Sequence, residues 1–172
     1  MKLPSDPPAY ASKIATPFAV LGLRTNGSAL TELSYLPLDE AVQDPADRIA
    51  EIAARQIEAY VTDSGYRFTV PLAPRGTPFQ MRVWAALSAI PSGESRTYGD
   101  IARAVHSAPR AIGQACGANR IALIIPCHRV TGGQGALGGF MHAAKGDPVA
   151  IKRWLLAHEG HGMCARLAAA PT

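Results

Sequence analysis

Cysteine is scarce in this chain of 172 residues, which contains three: Cys116, Cys127 and Cys164. They are widely spaced and form no C-x-x-C pair, so we expect neither a disulfide framework nor a zinc site. The pattern fits a reducing compartment, and we predict a cytoplasmic protein, of the bacterial cytoplasm or nucleoid.

Long hydrophobic runs are also missing. No window approaches the length of apolar sequence that a membrane helix needs, and the N-terminus lacks the apolar core of a signal peptide. No internal repeat is present. Charged residues make up 17% and hydrophobic residues 48% of the chain, as in an ordinary globular protein of one domain or two small lobes. The formal charge of +4 weakly favours a nucleic-acid partner.

The chemistry of the chain is concentrated after one apolar run. Residues Ile121–Ile125 predict a short buried strand, which Pro126 ends because proline has no N–H to donate. A thiol, an imidazole and a guanidinium follow as Cys127, His128 and Arg129. In extended chain neighbouring side chains point to opposite faces, so His128 reaches the sulfur only through a backbone turn or a relaying water. A buried structural thiol is the alternative interpretation of Cys127.

The first lobe, residues 1–75, is predicted to be a small structural α/β unit. Two strand-like runs between Ile14 and Leu36 flank Asn26-Gly27, a strong hairpin signal. A helix is expected from Asp44-Pro45-Ala46 to about Tyr60, and another strand from Tyr66 to Val70. Residues 71–76 then resemble a linker.

The second lobe, residues 76–172, is predicted to be mostly helical. Thr77 and Gln80 form a capping-box pattern, and Thr97 with Asp100 forms another. The helix that Thr97 caps is followed by a tight turn and then by a second helix, from about Ala108 to Cys116. Two short helices joined by a tight turn suggest a helix-turn-helix. The outward face of the second of these helices is small and polar, with Arg110, Gly113, Gln114 and Gly117.

The last helix is expected to start at Asp147-Pro148 and to end at Gly160. The predicted buried stripe consists of Ile151, Trp154, Leu155, His158 and Glu159. Glu159 would lie at the negative end of the helix dipole, which predicts a paired cation or a catalytic duty. Before this helix, the glycine-rich residues 131–140 predict a loop that approaches a flat ligand closely, or a disordered connection.

These motifs occur in the order found in one known family. They are Thr77-Pro-Phe-Gln80, Thr97-Tyr-Gly-Asp-Ile-Ala102, Arg110-Ala-Ile-Gly113, Asn119, Ile125-Pro-Cys-His-Arg-Val130 and Trp154-Leu-Leu-Ala-His-Glu-Gly160. Over roughly residues 77–160 the chain resembles the O6-alkylguanine-DNA alkyltransferases. The resemblance implies an α+β fold with a small N-terminal α/β lobe and a mostly helical C-terminal lobe that carries the active-site cysteine.

The resemblance also implies a chemical role for several residues. Cys127 would accept the alkyl group irreversibly, in a single turnover that inactivates the protein. His128 would take the thiol proton through a water, and Glu159 would hold and polarise that histidine. Tyr98 would assist base flipping and protonate the departing guanine. Asn119 would brace the turn that carries the cysteine.

The implied partner is double-stranded DNA bound through the minor groove. Arg110 would fill the gap left by an extruded O6-alkylguanine, while Ala111 and Gly113 let the helix approach the groove. O4-alkylthymine is a further candidate substrate. The remaining predicted DNA contacts are Gln114, Arg120 and Arg129. The resemblance implies a monomer with no cofactor, no metal and no membrane contact.

The alkylated base would lie against the loop that follows the cysteine. The carbonyl of Val130 would recognise the guanine amino group. Phe140 stands where many family members carry tyrosine, and Met141-His142 replaces smaller residues. Phe140 and Met141 are therefore predicted pocket residues, and the connection onward to Asp147 is longer than usual for the family.

Three other functions remain as alternatives. Alkyltransferase-like sensors share the fold but lack the cysteine, which is present here. A helix-turn-helix regulator with a structural thiol would have no need for Glu159. A cysteine hydrolase would turn over repeatedly and ignore DNA.

Overall fold

The computed structural model describes residues 9–141 and 147–160 and divides into two compact units between Pro74 and Arg75. The first unit contains β1 (Ser12–Ala15), β2 (Val20–Thr25), β3 (Leu30–Leu36) and α1 (Arg48–Thr62). The second contains α2 (Pro78–Ser88), β4 (Arg96–Thr97), α3 (Tyr98–Ala104), α4 (Pro109–Gly117), a 3-10 turn (Cys127–Arg129), β5 (Val130–Thr131) and α5 (Asp147–His158).

The sheet of the first unit is antiparallel with strand order β1-β2-β3. The predicted hairpin is present between β2 and β3, where the Asn26 side chain accepts hydrogen bonds from the amides of Ser28 and Ala29 at 3.0 and 2.9 Å. Gly27 has a φ of +85°, which favours glycine there. The run that was predicted as two strands forms three, because Thr16 ends β1 with hydrogen bonds to Ala19.

Helix α1 starts at Arg48 and not at Asp44-Pro45, so the predicted start was too early. The cap is Asp47, whose carboxylate accepts a hydrogen bond from the Ala50 amide at 2.9 Å. A proline can open a helix, but it does not do so here because the side chain that satisfies the first amides comes two residues later.

The predicted strand Tyr66–Val70 does not form. The Gln56 side chain on α1 accepts hydrogen bonds from the amides of Thr69 and Val70 at 2.9 and 3.0 Å. These two backbone amides therefore donate to a side chain and not to the neighbouring strand that the prediction required. The one bridge to the sheet comes slightly later, between Leu72 and Leu30.

Helices α2 and α3 both begin with the predicted capping boxes. Gln80 and Thr77 bond reciprocally at the start of α2, and Asp100 and Thr97 do the same at the start of α3. Each box satisfies two amides that the first turn of a helix leaves without partners. Because Thr97 and Arg96 also pair with β5, the start of α3 is tied to the strand that follows the cysteine turn.

Residues Ile121–Ile125 are buried as predicted except for the half-buried Ile124, but they form turns and not a strand. The amide of Ile125 donates to the carbonyl of Ile121 at 3.0 Å, and Leu123 has a φ of +108°. An apolar run shows burial but does not distinguish a strand from a compact turn.

The buried face of α5 differs by one position from the predicted stripe. Lys152, Leu155, Leu156 and Glu159 are buried, whereas Trp154 and His158 are half-buried and stack with ring centroids 4.8 Å apart. The prediction failed because it excluded a lysine from the core. His142 and the connection to α5, residues 143–146, lie outside the described residues. Within residues 9–141 and 147–160, no helix is both long and apolar enough to cross a membrane.

Candidate active site

The candidate nucleophile lies on the 3-10 turn that follows Pro126. The amide of Arg129 donates to the carbonyl of Pro126 at 3.0 Å, which closes the turn. Three consecutive residues on such a turn project in three directions, because it has three residues per turn. Cys127 lines a pocket and is nevertheless 3% exposed, while His128 is buried.

The thiol of Cys127 is held in its neutral form. Burial raises its pKa to about 11, against the lowering effects of a hydrogen bond with Asn119 and of the positive charge of Lys152. The cation that acts on this sulfur is therefore Lys152 and not the neighbouring Arg129. Nucleophilic attack by such a thiol requires a proton acceptor.

His128 and Glu159 form a buried pair that can provide that acceptor. The Nε2 atom of His128 lies 2.8 Å from Oε1 of Glu159. Burial alone would raise the pKa of Glu159, but hydrogen bonds from His128 and Arg129 outweigh it and lower the pKa to about 2. The carboxylate is thus ionised, so the Nε2–H of the imidazole donates and Nδ1 of the neutral ring is a proton acceptor.

The Nδ1 atom of His128 is buried and has no hydrogen-bond partner among the described residues. Burial lowers the pKa of His128, although the hydrogen bond to Glu159 acts to raise it. The ring is therefore neutral at physiological pH, with one basic nitrogen available.

Arg129 was predicted to contact DNA, but its guanidinium is bonded within the protein. Nε and Nη2 donate to the Oε2 and Oε1 atoms of Glu159 at 3.0 and 2.9 Å, and Nη1 donates to the carbonyl of Ile90. Its side chain is 13% exposed. Because all three nitrogen groups are engaged inside the protein, we do not assign a DNA contact to Arg129.

Asn119 connects the end of α4 to the cysteine turn. Its Nδ2 atom donates to the carbonyl of Ile125 at 2.9 Å, and its Oδ1 atom accepts from the amide of Ile121 at 2.9 Å. The side chain is buried, so these bonds hold both ends of the compact apolar turn that precedes Cys127.

A pocket of about 470 Å³ opens beside the thiol, a size that suits a small planar ligand. Its walls come from α3, α4, the cysteine turn and the glycine-rich loop. The lining residues are Tyr98, Pro109, Arg110, Gly113, Cys116, Gly117, Cys127, Gly139, Phe140 and Met141. The hydroxyl of Tyr98 donates to the carbonyl of Gly139 at 3.3 Å, and burial raises its pKa above the ordinary value, so it stays protonated.

Lys152 was not predicted as a site residue. It is fully buried, and its Nζ atom donates to the carbonyls of Val130 and Gly139 at 2.6 and 2.9 Å. Burial lowers its pKa to about 8, with Cys127 and Cys116 acting in the opposite direction. The spacing of the sequence could have identified it. Lys152, Leu155, Leu156 and Glu159 are related by steps of three and four residues, which places them on one face of a helix.

The predicted DNA-contact residues of α4 lie on its outer side. Arg110 and Gln114 are exposed, and Ala111 and Gly113 are half-buried. A Cβ atom added to Gly113 would meet nothing within 4 Å, so the protein itself does not require glycine there. Arg120 is also exposed, beyond the end of the helix.

Two of the predicted base-contact residues, Phe140 and Met141, line the pocket wall. Phe140 is 4% exposed and Met141 is half-buried. Val130 is buried and does not line the pocket, and its carbonyl accepts a hydrogen bond from Lys152. No group of three or more residues that could hold a metal ion exists within the described ranges.

A thiol in a pocket wall, next in sequence to a buried histidine–carboxylate pair, is the set of groups typical of proteins that use cysteine as a nucleophile. Comparisons with known proteins identify the family. The model described as "6-O-methylguanine DNA methyltransferase, DNA binding domain" matches residues 78–161, which include every predicted site residue. A methylated-DNA–protein-cysteine methyltransferase of Methanosarcina barkeri is 43% identical over 138 residues, 76% of this chain and 87% of the relative.

Other relatives agree over most of the length. The constitutive methylated-DNA–protein-cysteine methyltransferase of Bacillus subtilis is 38% identical over 158 residues, 86% of this chain and 93% of the relative. The crystal structure of Mycobacterium tuberculosis O6-methylguanine methyltransferase superposes with a TM-score of 0.72 at 37% identity, covering 95% of each chain. The structure of Mycobacterium tuberculosis OGT in complex with DNA gives 0.70 at 40% identity, covering 86% of this chain and 90% of that one. The chain belongs to the O6-methylguanine DNA methyltransferase family, and the five α-helices and small sheets of the described residues form the mixed α/β fold of that family.

Proposed function

We propose that this protein repairs alkylated DNA by transferring the alkyl group of O6-alkylguanine to the sulfur of Cys127. The observation that carries the proposal is the placement of Cys127 in the wall of a base-sized pocket, next in sequence to the buried His128–Glu159 pair. The names of its relatives, methylated-DNA–protein-cysteine methyltransferases, support the same activity.

The proposed reaction uses the acid–base state of each group. Because the Cys127 thiol is neutral, His128 accepts its proton at Nδ1 through a water, and Glu159 stabilises the imidazolium that results. The bond from sulfur to the alkyl carbon forms as the bond from that carbon to O6 breaks. Tyr98, whose hydroxyl remains protonated and donates to Gly139 before the reaction, gives its proton to the departing guanine, and the proton held by His128 then restores the tyrosine, so the thiol proton ends on the guanine.

The product is a thioether, which no group in the pocket can hydrolyse easily. The cysteine is consumed and each chain acts once. Asn119 holds the turn on which this cysteine is presented. The reaction needs no cofactor, because both the acceptor and the base belong to the chain.

We further propose that α3 and α4 form a helix-turn-helix that enters the minor groove of duplex DNA. The half-buried Gly113, whose missing side chain leaves open space, and the small Ala111 are suited to close approach of a DNA backbone. Gln114 and Arg120 are exposed where they can bind the groove and its phosphates.

A base in the duplex cannot reach a thiol that is 3% exposed, so the alkylated base must leave the stack, which costs a few kcal/mol. Arg110 lies at the pocket and is exposed, which suits it to fill the space that the base leaves. Phe140 and Met141 contact the base in the pocket, and the Val130 carbonyl accepts from the guanine amino group. The protein acts as a monomer, and O4-alkylthymine is a second candidate substrate.

Intact-protein mass spectrometry tests the proposal. Incubation with a duplex oligonucleotide that contains O6-methylguanine should add one methyl group per chain, with no further repair when substrate is in excess. The gain should be absent in Cys127→Ser. Cys116→Ser is the matched control, since it removes the other pocket thiol and should retain the mass gain.

Each alternative gives a different result. Several repaired bases per chain would indicate a hydrolase, and tight lesion binding without a mass change would indicate a sensor. Sequence-specific binding to undamaged DNA, with no reaction, would indicate a regulator.

A further inference from the structure

Arg129 follows the proposed nucleophile and base directly, and it uses all three of its nitrogen groups inside the protein. Its guanidinium is bidentate on Glu159, with distances of 3.0 and 2.9 Å, and the third nitrogen donates to the carbonyl of Ile90. The Glu159 side chain is 0% exposed, so the arginine is the cation that compensates this buried charge.

The arginine and the histidine share one carboxylate oxygen. Oε1 of Glu159 lies 2.8 Å from Nε2 of His128 and 2.9 Å from Nη2 of Arg129. The guanidinium partly neutralises the carboxylate. The carboxylate therefore stabilises a second proton on the imidazole less strongly than it would if the imidazole were its only partner. The arginine therefore acts on the charge of His128 through Glu159.

We propose that Arg129 is a positioning residue that keeps His128 a neutral base, by fixing the Glu159 carboxylate and sharing its charge. The inference rests on the proposed function, because it concerns the proton acceptor of that reaction. It gives Arg129 a task different from the DNA contact that its family resemblance implied.

The groups that act on His128 come from two elements. Glu159, just beyond the end of α5, favours the imidazolium, whereas Lys152 on α5 and Arg129 on the histidine's own turn oppose it. Lys152 bonds to Val130 and Gly139 and not to the carboxylate. Arg129 is therefore the cation through which the carboxylate can be tuned. A lysine at 129 would keep the charge but lose the bidentate geometry.

The pH dependence of single-turnover methyl transfer separates this role from simple structural support. In the wild type the rate should fall on the acid side as His128 becomes protonated. In Arg129→Gln this acid limb should move upward by about one pH unit, with the rate largely recovered at higher pH. Arg129→Lys should move it by less, and it provides the test if Arg129→Gln does not fold.

A matched control removes an exposed arginine of the first unit, which contributes no residue to the proposed site. Arg55 forms an i,i+4 ion pair with Glu51 on α1, and its side chain is 75% exposed. Arg55→Gln should leave the acid limb in place. In a Glu159→Gln background, Arg129→Gln should produce a smaller shift, because the carboxylate is gone and only the direct effect of the arginine charge on His128 remains.

Other outcomes overturn the inference. A rate that falls equally at every pH in both Arg129 variants would reduce the arginine to structural support. Weaker binding of undamaged duplex, with a smaller dependence on salt, would make it a phosphate contact. Suppose that Glu159→Gln leaves the pH–rate profile unchanged while Cys127 still gains a methyl group. That result would refute the His128–Glu159 proton relay and this inference, but not the proposed methyl transfer. Absence of the methyl gain refutes the proposed function itself.

Discussion

The sulfur of Cys127 lines a pocket, yet burial raises the pKa of its thiol to about 11. At pH 7 the thiolate would therefore cost about 5 kcal/mol without a partner to take the proton. That cost makes the neutral thiol stable against adventitious reaction. It also agrees with the proposed role of His128, the next residue in the chain, as the acceptor of the thiol proton.

We expect methyl transfer to depend on Lys152, whose buried ammonium binds two backbone carbonyls. Lys152→Met removes a cation that lowers the pKa of Cys127, and it removes one donor each from the carbonyls of Val130 and Gly139, of which Gly139 keeps the Tyr98 hydroxyl. We expect the single-turnover rate to fall by roughly tenfold or more, since a lost charged hydrogen bond is worth about 1.5–3 kcal/mol. Rapid-quench measurement with a methylated duplex would show this.

The control for Lys152 is a lysine outside the second unit. Lys13 pairs with Glu40 on the surface of the first unit, and Lys13→Met should leave the transfer rate unchanged. A wild-type rate in Lys152→Met would show that the buried cation contributes structure alone.

At the scale of elements, the turn before the cysteine depends on one amide side chain. Asn119→Ala removes the acceptor of the buried Ile121 amide, while the Ile125 carbonyl loses one donor and keeps the hydrogen bond from the Cys127 amide. We expect the free energy of unfolding to fall by about 1–3 kcal/mol, the cost of leaving one buried group without its partner. Urea denaturation measures this change, and methyl transfer should slow with it.

Asn26→Ala provides the comparison. Asn26 also makes two hydrogen bonds to backbone amides, but they lie at an exposed or partly exposed turn of the first unit. Water can replace them, so the loss should be smaller than at Asn119. Equal losses at both positions would mean that burial of the Asn119 contacts adds nothing.

The elements that the sequence predicts correctly are those fixed by local hydrogen bonding. The capping boxes at Thr77 and Thr97 and the turn at Asn26 each depend on side chains within three residues of the backbone groups they satisfy. Such interactions are visible in the sequence because their partners are neighbours.

Three of the errors come from side chains that bond to backbone groups, which a pattern of hydrophobicity does not show. Residues 121–125 form turns because Asn119 holds both ends, and residues 66–70 form no strand because Gln56 satisfies two of the amides. Lys152 is buried because two carbonyls from other segments surround its ammonium. Hydrophobicity alone excludes a lysine from the core and does not identify these partners.

At the scale of the whole molecule, the proposed chemistry lies within the second unit. The pocket and the relay use residues from Tyr98 to Glu159, and the family model covers residues 78–161. The first unit has its own sheet, helix and core, with Leu21, Leu30 and Ile57 fully buried. The sequence predicts that Cys127, His128 and Glu159 belong to this unit, because their residue types and motifs are recognisable. It does not predict the distances between these side chains, which depend on packing.

The stability of the whole chain should depend on pH through the same buried pair. The pKa of His128 is lowered from 6.5 and that of Glu159 from 4.5 to about 2, so the unfolded chain binds more protons than the folded one. The free energy of unfolding should therefore be greatest above pH 6.5 and decrease as the pH falls. Between pH 4.5 and 2 the Glu159 contribution, about 3 kcal/mol, is lost.

Urea denaturation of the wild type and of Glu159→Gln at several pH values isolates this contribution. The variant is less stable at neutral pH, but its curve should be flatter between pH 4.5 and 2 because it has no carboxylate to protonate there. Asp47 and Asp100, whose pKa values are also lowered, remain in both proteins and act equally on both curves. Parallel curves would show that Glu159 is not held ionised by His128 and Arg129, and the neutral-base account of His128 would lose its physical basis.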